Sequence, residues 1–170
     1  MCNDFFSSQD VTPTASRTCI TLNNSIMSKK RILIVEDEAV TVLALKHELT
    51  ELGYEIAGDA STAAEALRVA EDNCADLVLM DIQLEGGISG VAAAAAIRGH
   101  LDIPVVFLTA HASSETVSRA VESGAFGYLL KPYTVPELKA AIEIALHKHT
   151  TETTMRNALS SRMPLSSAQA

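Results

Sequence analysis

Residues 31–149 alternate between two periodicities, and that alternation leaves few folds open. Short apolar runs rich in β-branched residues occur at Arg31–Val35, Tyr54–Ala57, Leu77–Met80, Pro104–Leu108 and Phe126–Leu130. Each precedes a longer stretch whose apolar residues recur at helical spacing. The first such stretch carries Val40, Leu43, Ala44 and Leu49 and stops at Gly53, a glycine suited to the position after a helix. The second opens on Thr62-x-x-Glu65 and the fifth on Thr134-x-x-Glu137, both with capping-box spacing; Pro136 is tolerated in a first turn. The third starts after Ser89-Gly90 and carries the strong helix formers Ala92–Ala96, and the fourth runs from Ser113 or Ser114 to Gly124. Five strand–helix units in succession predict an α/β fold, a parallel sheet with helices on both faces. Right-handed crossovers make that sheet doubly wound.

The flanks differ in composition. Residues 1–28 are rich in Ser, Thr and Asn without apolar periodicity and are expected to form a disordered extension. Residues 150–170 are Thr- and Ser-rich and are expected to be a flexible or partly helical tail. That leaves 29–149 as the folded unit. It holds 18 acidic and 10 basic side chains, and so the whole net charge of −8. An acidic unit of this kind is expected to make no direct contact with nucleic acid, whose binders carry a basic face. No apolar run approaches the roughly 20 residues of a membrane span, and the first ten residues have neither the basic nor the apolar region of a secretory signal. Cys2, Cys19 and Cys74 show no metal-binding spacing and are read as thiols of a reducing compartment, consistent with a cytoplasmic protein.

In doubly wound sheets the working site lies at the carboxyl ends of the strands. Here strand one runs into Glu36-Asp37-Glu38, strand three into Asp81, strand four into Thr109-Ala110 and strand five into Lys131-Pro132. One polar residue at one strand end is what contact with solvent alone explains. Acid pair, acid, hydroxyl and Lys-Pro at successive strand ends form a joint pattern that solvent contact does not.

Residues 31–149, about 70% of the chain, resemble the receiver domain of two-component response regulators. The resemblance rests on I-L-I-V-E-D-E, L-V-L-M-D-I-Q-L, V-V-F-L-T-A-H and G-Y-L-L-K-P-Y, in the family's order. It implies a flavodoxin-like sheet of order 2-1-3-4-5 with five helices. It makes Asp81 the phosphoacceptor, Glu36 and Asp37 the acidic pocket, Thr109 the switch hydroxyl, Lys131 the phosphate-binding lysine and Tyr128 the switch aromatic. The Lys131–Pro132 bond is then expected to be cis. The implied partners are a sensor histidine kinase or phosphotransfer protein and a downstream protein target. A homodimer through the fourth helix, fifth strand and fifth helix is a further possibility of the family.

The residue types suit that chemistry. Two carboxylates about 5 Å apart repel by roughly 3 kcal/mol at an effective dielectric near 20. A hard divalent cation relieves this, and oxygen ligands with water positions left over suit Mg²⁺. The expected ligands are Asp37, Asp81 and the backbone carbonyl of Gln83, with Glu36 reaching the ion through water. Asp81 then acts as a carboxylate nucleophile toward phosphorus, while the cation and Lys131 neutralise charge on the equatorial oxygens. Gln83 and His111 occupy positions that flank the attacking water in this family, where bulky polar groups tune hydrolysis; for His111 a plain loop position is an equal reading. With only 21 residues after 149, output is expected through protein contacts, phosphate relay or service as a phosphate sink rather than through a further domain.

Other signals carry less. The segment Glu85–Gly90 is glycine-rich but lacks the spacing of a phosphate-binding loop and reads as a flexible connection. His147 and His149, two apart on a helix, do not share a face and read as solvated residues at a helix end. Two alternative functions remain at this level: a receiver-like binding module that switches without phosphate, and a Mg²⁺-dependent phosphatase. Asp81 lacks the second aspartate two residues on that a haloacid-dehalogenase-like phosphatase carries.

Overall fold

A computed structural model of the chain describes residues 29–84, 90–110 and 124–161. Five parallel strands, β1 (Arg31–Val35), β2 (Glu55–Ala60), β3 (Leu77–Asp81), β4 (Val105–Thr109) and β5 (Gly127–Leu130), form one sheet in the order β2-β1-β3-β4-β5. The helices among the described residues are α1 (Ala39–Glu51), α2 (Ala63–Asp72), α3 (Gly90–Leu101) and α4 (Val135–Ser160). The helix α4 is the fifth helix of the sequence reading. The predicted helix near 113–124, apart from Gly124, and the Glu85–Ser89 segment lie outside the described residues, as does His111.

The sheet buries both faces because its central strands are apolar at every position but their ends, where Arg31 opens β1 and Asp81 and Thr109 close β3 and β4. Alternate side chains point to opposite sides, and the core divides accordingly. Leu33, Val35, Val78, Met80, Val105 and Phe107 pack with α2 and α3 on one face. Ile32, Ile34, Leu77, Leu79, Val106 and Leu108 pack on the other against Leu45 and Leu49 of α1 and Leu138 and Ile142 of α4. Every residue of β3 and β4 is buried.

Local signals fall where the sequence puts them. α1 ends at Glu51, and Gly53 follows at φ +89°, a left-handed turn that glycine adopts without penalty. Glu65 N–H donates to the Thr62 hydroxyl, and the Glu137 carboxylate accepts from Thr134 N–H at 2.7 Å. Strand ends agree to within one residue, with one exception. β2 extends to Ala60 rather than Ala57, because β1 pairs with it as far as Val35↔Ala60; the polar Gly58-Asp59 pair hid that from the periodicity. The tail expected to be flexible or partly helical is helical as far as Ser160, α4 running past residue 149 without a break. Cys74, read from sequence as a thiol, is disulfide-bonded; pairing depends on proximity in space, which an odd, unpatterned set of cysteines does not reveal.

Candidate functional site at the carboxyl edge of the sheet

The strand ends converge. Strand order places the end of β1 beside β3, and β3 beside β4, so residues far apart in the chain meet at one edge. Lys131, just after β5, reaches across β4: its Nζ lies 2.7 Å from Glu36 Oε2 and 2.7 Å from Asp81 Oδ2. The other Asp81 oxygen accepts the Gln83 N–H at 2.8 Å, while Glu36 Oε1 accepts the Glu38 N–H. Glu36, Asp81 and Thr109 are the buried polar residues of the described chain. Lys131 N–H also donates to the Thr109 carbonyl at 2.7 Å, which ties the ends of β4 and β5 together. The Lys131–Pro132 peptide is cis.

Burial and charge act against each other here. Burial pushes the Glu36 carboxyl above its ordinary value; the hydrogen bond and charge of Lys131 oppose this, and Asp81 adds to it. Burial alone would lower Lys131, but its hydrogen bonds to Asp81 and Glu36 hold it above the ordinary lysine value. The ammonium is thus a fixed cation between two carboxylates.

Asp37 is half-buried beside this pair, and Gln83 is exposed. The sequence led to Glu36 and Asp37 as the acidic pocket, with Asp37 and Asp81 as direct metal ligands and Glu36 reaching the ion through water; in the structure it is Glu36 that shares Lys131 with Asp81. Among the described residues no three acidic, histidine or cysteine side chains are gathered so as to hold a metal. The donor chemistry nonetheless fits Mg²⁺, which is usually held by one or two carboxylates with several waters kept. A cleft of about 480 Å³ opens beside Glu36 and Asp37, bounded by Leu43, Lys46 and Asp59.

Thr109 closes β4 one strand from Asp81, and Tyr128 of β5 is half exposed, paired in register with Phe107. Two positioning residues escaped the sequence reading. A Cβ on Gly90 would lie 2.2 Å from the Asp81 carbonyl oxygen, so glycine alone lets α3 start against the end of β3; the Ser89-Gly90 pair signalled only a helix start. Tyr133, after the Lys-Pro pair, is pushed up to about 12 by burial and by Glu48. It is part of the quoted G-Y-L-L-K-P-Y segment, but nothing in the spacing showed that it faces the acidic edge.

The response regulator receiver domain family matches residues 32–143. The chain is 40% identical over 119 residues to the transcriptional regulatory protein PdtaR of Mycobacterium tuberculosis, covering 70% of this chain and 58% of that protein. It is 38% identical over 122 residues to the transcriptional regulatory protein YvrH of Bacillus subtilis, covering 72% and 51%. It thus spans a little over half the length of these curated relatives. Among solved structures, it is similar to the signal receiver domain of a modulated diguanylate cyclase from Desulfovibrio desulfuricans G20, with a TM-score of 0.69, 37% identity, and coverage of 74% of this chain and 99% of that one. A CheY-like response regulator receiver protein from Methanospirillum hungatei JF-1 matches with a TM-score of 0.66, 30% identity and the same coverage.

Proposed function

The chain belongs to the response regulator receiver domain family, and on that premise we propose that it accepts a phosphoryl group on Asp81 from a sensor histidine kinase or phosphotransfer protein. The observation that carries the proposal is the single ammonium of Lys131 held 2.7 Å from both Asp81 and Glu36 at the carboxyl edge.

In this reading an Asp81 carboxylate oxygen attacks the phosphorus of a phosphohistidine. The new O–P bond forms as the P–N bond breaks, and the departing imidazole takes up a proton. Lys131 turns from the carboxylates toward the phosphoryl oxygens, which carry roughly −1.5 to −2 charge once transferred. Asp37, Asp81 and the Gln83 carbonyl, with Glu36 through water, would hold a Mg²⁺ ion, which would supply further charge neutralisation. The Thr109 hydroxyl becomes a donor to the modified group. Because Lys131 N–H is bonded to the Thr109 carbonyl, movement at one strand end is felt at the other, and Tyr128, half exposed on β5, is the aromatic that turns inward in this reading. The side built by Tyr128, Leu130 and Val135, all apolar and partly exposed, then changes its shape for a protein partner or a second copy of the chain. The acidic balance favours such protein contacts over direct nucleic-acid binding, and Asp81 turns over no external substrate. No described helix is long and apolar enough to cross a membrane; we place the receiver in the cytoplasm with its kinase's catalytic region, on the family's pairing with a kinase and not on the cysteines, since a disulfide such as that of Cys74 is uncommon in that compartment.

Incubation of the chain with Mg²⁺ and a small-molecule phosphodonor tests this by intact mass. The expected result is one added phosphoryl group per chain, absent in Asp81→Ala. No label in the parent chain supports a module that switches without phosphate. Many turnovers of an external phosphoester per chain support a phosphatase. Either outcome rejects the proposal.

A further inference from the structure

The part of α4 beyond residue 149 has little of its own to keep it helical. The helix buries Leu138, Ile142 and Ala145 against the sheet, all near its start. From Thr150 to Ser161 no side chain is fully buried. Four of the five residues 150–154 are threonines, which are weak helix formers. The hydroxyls of Thr150, Thr151 and Thr154 only bond back to carbonyls of their own helix.

Among the described residues, Asp102 is the one outside the helix whose side chain bonds to this segment. Asp102, in the connection between α3 and β4, has the left-handed backbone φ of +50°, uncommon for a residue with a side chain but tolerated by Asp and Asn. Its Oδ2 accepts from Arg156 Nη1 at 2.8 Å, and its Oδ1 lies 3.7 Å from His149 Nε2. That nitrogen is buried and makes no hydrogen bond, and the same is true of the Thr153 hydroxyl. Both residues line a cavity of about 420 Å³ that also takes in Lys30, Asp76 and Asp102. His149 is therefore not the solvated helix-end residue that the sequence suggested. Its ring stands edge-on to Phe126 at 5.6 Å.

We propose that Asp102 is a charge clasp that keeps the end of α4 helical, and that protonation of His149 tightens the clasp. Histidine is the side chain whose charge ordinarily changes between pH 5 and 8. The charged groups around it are Asp102 ahead of β4, Arg98 of α3 over the Phe126 ring at 4.9 Å, Lys30 and Asp76 across the cavity, and Arg156 on its own helix. Lys30 is paired with Asp76 at 2.9 Å. Arg156 takes Oδ2 of Asp102, and the other oxygen, Oδ1, 3.7 Å from Nε2, is the carboxylate atom that a charged imidazole meets. A proton on Nε2 converts a 3.7 Å approach into a charge-assisted hydrogen bond and gives a buried nitrogen its partner. The device does not depend on phosphoryl chemistry, and it makes the order of the helix leading out of the receiver responsive to pH.

Amide hydrogen exchange on the full chain, expressed as protection factors at pH 6 and pH 8, tests the clasp. In the parent chain, protection across 150–160 is expected to be roughly two- to five-fold higher at pH 6, the factor that a partly exposed ion pair is worth. H149Q removes that pH dependence while keeping the pH 8 protection. D102N, which keeps a residue tolerant of the left-handed backbone, lowers protection at both pH values by a similar factor, and R156Q lowers it with the pH dependence kept. Amides of β3 serve as the folding control and stay unchanged in all three. Protection in D102N equal to that of the parent, or pH dependence that survives in H149Q, overturns the proposal.

Discussion

Replacing Lys131 with Met keeps most of the side-chain volume and removes the cation between two buried carboxylates. Each of the two oxygens lies 2.7 Å from Nζ, so they are within about 5.4 Å of each other. At that separation and an effective dielectric near 20, two like charges repel by about 3 kcal/mol. Removing one partner of a buried pair typically costs 3–5 kcal/mol. The lysine side chain is 22% exposed, so water screens part of this, and we expect K131M to lose about 2–3 kcal/mol at pH 7.5 in urea unfolding. The loss must depend on pH. Glu36 is already raised by burial, and without the ammonium it rises further. A carboxyl raised on folding gives stability that is present at low pH and is lost as pH climbs through its folded value. The deficit of K131M therefore shrinks between pH 7.5 and pH 5, as Glu36 takes up a proton and the repulsion ends. A loss below about 0.5 kcal/mol at pH 7.5, or an equal loss at both pH values, refutes the account of the lysine as the neutralising group of this edge.

Three further outcomes follow from the same geometry. Thr109→Ala is expected to leave phosphodonor labelling of Asp81 in place while abolishing the change in the Tyr128 ring resonances that accompanies it by NMR. Gly90→Ala drives a methyl group into the Asp81 carbonyl; it is expected to cost about 1–3 kcal/mol in urea unfolding and to slow labelling, because the end of β3 must shift. Tyr54→Phe removes a 2.6 Å bond to Glu143 that joins the loop entering β2 to α4, at about 1 kcal/mol near pH 7.5. Burial, then Glu143, holds the Tyr54 phenol above its ordinary value of 10.0. The advantage of the parent chain over Y54F is therefore constant below pH 9 and vanishes as pH rises above the tyrosine range, which parallel unfolding curves would reveal.

What was legible in the sequence, and what was not, divides along a physical line. The sheet could be read because its strands are buried on both faces, and burial on both faces forces an unbroken apolar run such as Leu77–Met80. The edge could be read because strand order, once parallel and doubly wound, leaves no choice about which residues follow each strand. Contacts that depend on side-chain reach were not legible. Glu36 and Asp37 are adjacent in sequence, and only the direction of the first turn after β1 decides that Glu36 shares Lys131 with Asp81. The end of α4 was legible only in part, as a tail either flexible or partly helical, for a related reason. Periodicity reports burial, and beyond residue 149 the helix buries almost nothing, so the pattern fades while the helix continues. It is held instead by a contact between residues 54 positions apart, Asp102 and Arg156, and such a contact leaves no periodic trace. The same reasoning separates the two ends of the molecule in function: the carboxyl edge is specified by burial and topology and so resists variation, whereas the helix that leaves the opposite edge rests on a few exposed charges that single substitutions can retune without disturbing the core.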